Sequence, residues 1–319
     1  MTVIKFRKQR LSRHLFTLLT MLLILSAGGA AFATPAQNRQ KSYSSPAEAA
    51  KALFTAVKNN DDKTLAGILG PGAEQLISSG DPVADRLNRE RFICLYEEKN
   101  RLELTNRSKA ILSIGNADFP FPLPLIKRKG AWVFDPKAGK KEILSRRIGR
   151  NELAVIDVLH AYLDAQREYS RKDHDGNGVL EFAPRLNSTP GKQDGLYWEV
   201  REGEETSPFG PLAAQADCQG YGKQFRAADP EPFHGYYFKV LTEQGSSAVG
   251  GAFDYVVNGK MVLGFALVAY PALYRSSGVM TFIVNQSGVI YQKDLGKNSA
   301  RLAPEMKSFD PDSSWEKVE

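Results

Sequence analysis

Histidine and cysteine are scarce in this chain, with four histidines and two cysteines among 319 residues. That scarcity removes whole classes of chemistry, because metal-dependent and thiol-dependent sites need such residues clustered at fixed spacing. There is no Cys-x-x-Cys pair, no His-Glu-x-x-His and no Gly-x-Ser-x-Gly elbow. A structural zinc site, a zincin and an α/β-hydrolase are therefore not written here. Beyond the first 33 residues there is also no apolar run of the length that crosses a bilayer, and no internal repeat.

The opening is where the sequence is most explicit. Lys5, Arg7, Lys8, Arg10 and Arg13 precede the apolar run Leu15 to Leu25, and Ala31-Phe32-Ala33 follows. A basic segment, a short hydrophobic segment and a small-x-small site in that order form a secretory leader, with cleavage expected after Ala33. The competing reading is an uncleaved anchor, since Leu15 to Ala33 is mostly apolar or small. Only the first eleven residues of that stretch are strongly apolar, and Gly28-Gly29 suits a peptidase better than a stable helix.

The leader also holds nearly all the surplus charge. It carries five of the 42 basic residues and none of the 36 acidic ones, which leaves 37 against 36. A basic whole chain would suggest nucleic acid or an anionic membrane as partner. The mature chain, nearly neutral, does not. Export brings an oxidising compartment, where Cys94 and Cys218 either pair as a disulfide or stay as two separate thiols; sequence alone cannot bring their Cα atoms within bridging distance.

After the leader, residues 34–45 read as a polar linker. Ser45-Pro46-Ala47-Glu48 then combines an N-cap, a proline in the first turn and a capping-box glutamate. Ala50, Leu53, Phe54 and Val57 follow at i, i+3, i+4 and i+7, giving that helix one apolar face. A short helix around Leu65 to Leu69 ends at Gly70-Pro71, and a third opens at Asp81-Pro82 and runs to about Lys99. Short strand-like runs come next: Arg101–Thr105, Ala110–Ile114, Leu123–Lys127 and Ala131–Phe134. Helices followed by an antiparallel meander make residues 46–149 an N-terminal α+β domain. The cone-shaped fold of nuclear transport factor two is one form it can take.

Gly149 reads as a helix break and Asn151 as a new cap, placing a boundary there. Residues 150–319 are then a second domain, a long helix carrying Val155, Leu159, Tyr162 and Tyr169, followed by an antiparallel β-meander. Tyr236–Leu241, Phe253–Val257, Met261–Tyr270, Val279–Val284 and Val289–Gln292 are its strands, and Asn258-Gly259 is a two-residue hairpin turn. The fold class is α+β in two domains.

Several blocks resemble a known family. Phe119-Pro120-Phe121-Pro122-Leu123-Pro124, Arg146-Arg147-Ile148-Gly149-Arg150-Asn151-Glu152-Leu153, Asp194-Gly195-Leu196-Tyr197-Trp198, His234-Gly235-Tyr236-Tyr237-Phe238, Tyr255-Val256-Val257-Asn258-Gly259, Gly264 to Ala269 and Ser277 to Phe282 look like the bacterial exported family domain of unknown function 2950. The resemblance covers almost the whole mature chain. It implies a bacterial envelope or secreted setting and carries over no catalytic residues. The C-terminal half is also faintly similar to the globular heads of pseudopilin-type proteins, but a pilin head joins directly to its hydrophobic N-terminal helix, and here a whole domain intervenes.

Four groups of residues are candidates for chemistry. Asp173, Asp175, Asn177 and Glu181, in Asp-His-Asp-Gly-Asn-Gly and the residues after it, place oxygens at alternate positions as a short calcium loop does. Pro184 stands where an EF-hand has its bidentate glutamate, so the other reading is an Asx-rich helix exit bonded to its own backbone. The basic run Lys137, Lys140, Lys141, Arg146, Arg147 and Arg150 is either an anion site or a solvated face, with Glu142 and Arg146 paired at i, i+4. His160 or His234 beside a carboxylate is the only route to a hydrolase, and neither lies in a recognisable triad. Tyr236, Tyr237, Phe238, Tyr255, Phe265, Tyr270, Tyr274 and Phe282 either line a groove or fill a sheet core.

These readings converge on an exported, monomeric or weakly oligomeric protein of the periplasm or medium that binds or scaffolds an envelope protein or glycan. An envelope hydrolase is the alternative. Calcium is the one cofactor the residues suggest. The leader makes a direct prediction: N-terminal sequencing of the exported protein finds Thr34 as its first residue, whereas a start at Met1 in the membrane fraction contradicts cleavage.

Overall fold

Capping chemistry sets where the first helices start. In the computed structural model, which describes residues 40–201, 203–221 and 231–318, Ser45 Oγ accepts from the Glu48 N–H and Glu48 Oε2 accepts from the Ser44 N–H. This fixes the first turn of α1 (Pro46–Lys58), which buries Ala49, Ala50, Leu53, Ala56 and Val57. Asp61 caps α2 (Asp62–Leu69), ended by Gly70. A single turn, α3 (Glu74–Ile77), precedes α4 (Pro82–Glu98), whose cap is Asp81.

The expected meander follows as β1 (Asn100–Asn106), β2 (Lys109–Ile114), β3 (Phe119–Pro120), β4 (Leu125–Arg128) and β5 (Ala131–Phe134). All neighbours are antiparallel, in the order β1-β2-β4-β5 with β3 on β2. Leu53, Ile68, Leu125 and Phe134 are at the centre of the core between this sheet and α1–α2. The leader and residues 34–39 lie outside the described residues. The described end of the expected linker is not free: Tyr43 exchanges two backbone bonds with Trp132, and Gln40 Nε2 donates to the carbonyls of Ile68, Leu69 and Phe134.

The largest departure from the sequence reading is α5, one helix from Pro136 to Tyr169. Gly149 does not interrupt it, and Asn151 lies within it instead of capping a new start. A glycine in a helix interior costs only about 1 kcal/mol, and the turns on either side are held by tertiary contacts. Asn151 Nδ2 donates to the Ser277 carbonyl (2.9 Å). Glu152 Oε1 accepts from the N–H groups of Val279 (2.9 Å) and Met280 (3.0 Å).

Past α5 the chain runs through turns to α6 (Gly210–Cys218), then β6 (Tyr236–Leu241), β7 (Glu243–Gln244), β8 (Phe253–Asp254), β9 (Val256–Val257), β10 (Lys260–Met261), β11 (Ala266–Pro271), β12 (Thr281–Asn285) and β13 (Ile290–Lys293). A 3-10 turn at Gly296–Asn298 leads into α7 (Ser299–Glu305), β14 (Ser308–Phe309) and β15 (Glu316–Lys317). The main sheet has the order β15-β13-β12-β11-β6, antiparallel throughout. Val268 pairs with Ile283 on one side and Lys239 on the other. Asn258-Gly259 closes the β9–β10 hairpin with positive φ at both positions, 51° and 80°, as a type I′ turn requires.

The last four turns of α5 lay Val155, Leu159, Tyr162, Leu163 and Tyr169 on this sheet, in a core shared with Tyr236, Tyr255, Phe265 and Phe282. Gln166, fully buried, exchanges bonds with both backbone groups of Ala183 and so ties the turn-rich segment to the helix. The architecture is α+β, and the described residues belong to one compact unit.

A buried carboxylate joins three distant parts of that unit. Asp81, 1% exposed, accepts from the Ala84 N–H through Oδ1 (2.9 Å), and through Oδ2 from the Tyr221 hydroxyl (2.7 Å) and the Gly235 N–H (2.8 Å). Gly235 is the second residue of a tight turn, His234-Gly235, with φ of 50° and 75°, between the bridged residues Phe233 and Tyr236. A Cβ at Gly235 would lie 2.7 Å from Asn151 Nδ2 and 2.8 Å from Ser277 Cβ, so glycine is required on steric as well as conformational grounds. Asp81→Asn keeps the shape but turns an amide N–H₂ or a single oxygen toward three donors. It is expected to cost roughly 2–4 kcal/mol in urea unfolding, whereas Asp62→Asn at the surface changes stability by less than about 1 kcal/mol.

Candidate functional site

Two cavities open between α4 and α5, and the same residues, Asn88, Arg147 and Arg150, border both. The larger, about 440 Å³, reaches into the α1–α2 core, with Leu53, Leu69, Phe92 and Leu123 among its walls. The smaller, about 350 Å³, is more polar and includes Ser79, Asn151, Tyr221, His234 and Cys218. Arg147 and Arg150 are three residues apart on α5, which puts them on one face of the helix.

The charges around the larger cavity are unevenly satisfied. Arg89 donates to Asp62 at 2.7 Å and Arg146 to Glu142 at 2.6 Å. Asp85 accepts twice from the Ser79 N–H, at 2.9 and 3.1 Å. Arg147 donates only to neutral groups, the Gln75 carbonyl (2.8 Å) and the Ser276 hydroxyl (3.3 Å). Burial lowers its pKa, Asp85 works in the opposite sense, and Arg150 adds to the lowering. Arg150 is exposed and makes no hydrogen bond or ion pair with any described residue.

The basic run of the sequence thus divides. Arg146, Arg147 and Arg150 reach the cavities, with Arg146 in the expected i, i+4 pair. Lys140 donates instead to the Gly72 carbonyl at 2.7 Å, and Lys137 and Lys141 are exposed. Asp81, Asn88, Arg89 and Tyr221 were not singled out as site residues. Asp81 had a local signal as a cap, but its partners Tyr221 and Gly235 are 140 and 154 residues away, beyond any spacing rule.

The candidate calcium residues are engaged in hydrogen bonds and ion pairs of their own. Asp173 Oδ1 accepts from the N–H groups of Asp175, Gly176 and Asn177, and Oδ2 from that of Gly178. The Lys260 ammonium lies between Asp175 (3.3 Å) and Glu181 (3.4 Å). Asn177 donates to Asp175 through its side chain and accepts from the Val179 N–H. Hydrogen bonds to Asn177 and Lys260 hold the Asp175 carboxyl below the usual carboxylate range. Among the described residues no three His, Cys, Asp or Glu side chains are grouped to hold a metal.

The structure does not bring Cys94 and Cys218 together: both are free, exposed thiols, on α4 and at the end of α6. His160 is exposed on α5. His174 stacks on Tyr169, with ring centroids 4.0 Å apart; its Nε2 is 3.1 Å from the Tyr169 carbonyl and its Nδ1 3.3 Å from Gln193 Oε1. Of the aromatics, Tyr236, Tyr255, Phe265 and Phe282 are core residues, while Tyr237 and Tyr270 form a half-buried ring pair across β6 and β11.

His234 borders the smaller cavity. Its ring lies 5.3 Å from that of Tyr221, and burial lowers its pKa from the ordinary 6.5, with Asp81 and Asp157 opposing the shift and Arg150 adding to it. Asp81, however, already accepts from three donors. The unfolded chain therefore binds a proton to this histidine more readily than the folded one, so folding loses stability as the pH falls below about 6.5. His234→Asn, which tolerates the positive φ, is expected to flatten that dependence: calorimetry from about pH 7.5 to about pH 5.5 shows a smaller fall in Tm for the variant than for the wild type.

No helix among the described residues is long and apolar enough to cross a membrane. No curated protein and no solved structure matches the chain. One family profile does, over residues 40–318, so that nearly all of the described fold is the family's own. The chain belongs to the family described as Protein of unknown function (DUF2950).

Proposed function

We propose that this is an exported protein of the bacterial envelope that acts by binding, without catalysis of its own, and that its ligand site is the paired cavity between α4 and α5. The observation that carries this reading is the preformed space of about 440 Å³ with apolar walls and arginines at its border. Ligand sites are concave, mostly apolar and furnished with a few oriented polar groups, in the range of about 300–1,000 Å³.

The hydrolase alternative draws on His234, which has Tyr221, Ser79 and Cys218 around the same smaller cavity. A general base needs a partner that orients its ring. Asp81, the carboxylate closest to that role, lines neither cavity.

Native mass spectrometry of the full chain, exported by its own host and purified from the envelope fraction, tests the reading. The wild type is expected to carry a small-molecule adduct. Ile77→Trp, which puts an indole ring into the larger cavity, is expected to be folded and to have lost it. Absence of any adduct, together with turnover of an ester or cell-wall substrate that disappears in His234→Asn, would replace binding with catalysis.

A further inference from the structure

Resting on the binding role proposed above, we infer that the ligand is a single-chain amphiphile with an anionic head, its chain in the larger cavity and its head at Arg147 and Arg150. The two halves of the site call for different chemistry. Leu53, Val57, Leu65, Leu69 and Leu123 are all at least nine-tenths buried and present aliphatic surface to the cavity. A hydrophilic anion alone would leave that surface uncovered.

The border calls for negative charge. Four arginines face two carboxylates there, Asp85 and Glu142. Glu142 is paired with Arg146, Asp85 is bound to the Ser79 N–H, and Arg89 has Asp62. Asp85, whose donor is a neutral N–H, keeps its charge and acts on Arg147, so Arg147 and Arg150 together leave one positive charge over; the hydrogen-bond partners of Arg147 are neutral and Arg150 has none among the described residues. A neutral head would leave that surplus charge without a counter-charge. A carboxylate or phosphate head instead matches the planar fork of the guanidinium, which favours two parallel bonds.

Size limits the number of chains. A volume of about 440 Å³ lies near the lower end of the range for whole ligands, which suits one acyl chain and not two. The adjoining cavity of about 350 Å³, with Asn88, Asn151 and His234 on its walls, leaves room beyond the arginines for polar atoms attached to the head.

The test uses the full mature chain and displacement of a fluorescent probe by octanoate, decanoate, dodecanoate, dodecyl phosphate, dodecanol and inorganic phosphate, each below its micellar concentration. From octanoate to dodecanoate, affinity is expected to rise about threefold to fourfold per added methylene. Dodecanoate and dodecyl phosphate, which separate a carboxylate source from a phosphate source, are both expected to outcompete dodecanol by about tenfold or more. Arg150→Ala, at an exposed position, should remove most of that advantage and leave dodecanol binding unchanged. Ile77→Trp should weaken every chain.

Dodecanol binding as tightly as dodecanoate overturns the anionic head, and so does an unchanged acid preference in Arg150→Ala. Inorganic phosphate binding as tightly as dodecyl phosphate overturns the chain. An adduct on the isolated protein that Ile77→Trp abolishes, but that is neither acidic nor acyl-bearing, removes this ligand assignment and leaves the binding role intact.

Discussion

Burying the Asp81 carboxylate is the constraint on which the arrangement of the rest depends. An ionised group without water must have its acceptor capacity met, or the cost is several kcal/mol. Here the partners come from three places: the first turn of α4, the Tyr221 hydroxyl after α6, and the turn that starts β6. Burial and the adjacent carboxylate push the Tyr221 phenol well above its ordinary pKa, so its hydroxyl stays a donor. None of the three can shift without leaving a buried group unpaired, and each therefore fixes the position of the other two.

With α4 tied to the start of β6, the place of α5 between them follows. Its middle turns carry Arg147, Asn151 and Glu152, which bond to Gln75 in the short α3 and to Ser276, Ser277, Val279 and Met280 ahead of β12. The bonds of Arg147 engage a backbone carbonyl and a hydroxyl, which are neutral, while Asp85 is the carboxylate that acts on it without a hydrogen bond. Polar ties thus border the groove between α4 and α5, where Arg146 and Arg89 are paired, Asp85 acts on Arg147, and Arg150 has no partner among the described residues. In the binding role proposed above, the groups that align the helices are neutral or already saturated, and Arg150 is the one left for a ligand.

Local chemistry was legible in the sequence where it is self-contained. Ser45, Pro46 and Glu48 set the start of α1, Gly70 the end of α2, and Asn258-Gly259 the β9–β10 turn, each within four residues of its effect. Gly149 misled because propensity was weighed without packing: about 1 kcal/mol against a glycine is small beside the buried bonds made by Asn151 and Glu152, whose partners are more than a hundred residues away. The helices α3, α6 and α7 were missed because four to nine residues give no periodicity to read, and α7 has Pro304 inside it. Of the site, Arg146, Arg147 and Arg150 were visible as a basic run on one helix. The apolar cavity was not, because its walls come from α1, α2, α4 and the β3–β4 segment and look like ordinary core residues in each.

The blocks that mark the family in the sequence acquire a physical meaning once they are placed. Arg146 to Leu153, His234 to Phe238 and Ser277 to Phe282 are far apart in the chain, yet they meet at the seam: Asn151 bonds to Ser277, Glu152 to Val279 and Met280, and the Tyr236 hydroxyl donates to the Met280 carbonyl at 2.9 Å with Glu152 Oε1 at 3.3 Å. Burial and Glu152 hold that phenol in its protonated form, so the network does not lose its donor at neutral pH. Gly235 admits only hydrogen where Asn151 and Ser277 close on it. A side chain in such a network is restricted by several partners at once, since replacing it orphans groups on two other elements. Arg150 lies in the same block without such a bond to any described residue, so stability places no comparable demand on its guanidinium, which leaves it available for the anionic head proposed above.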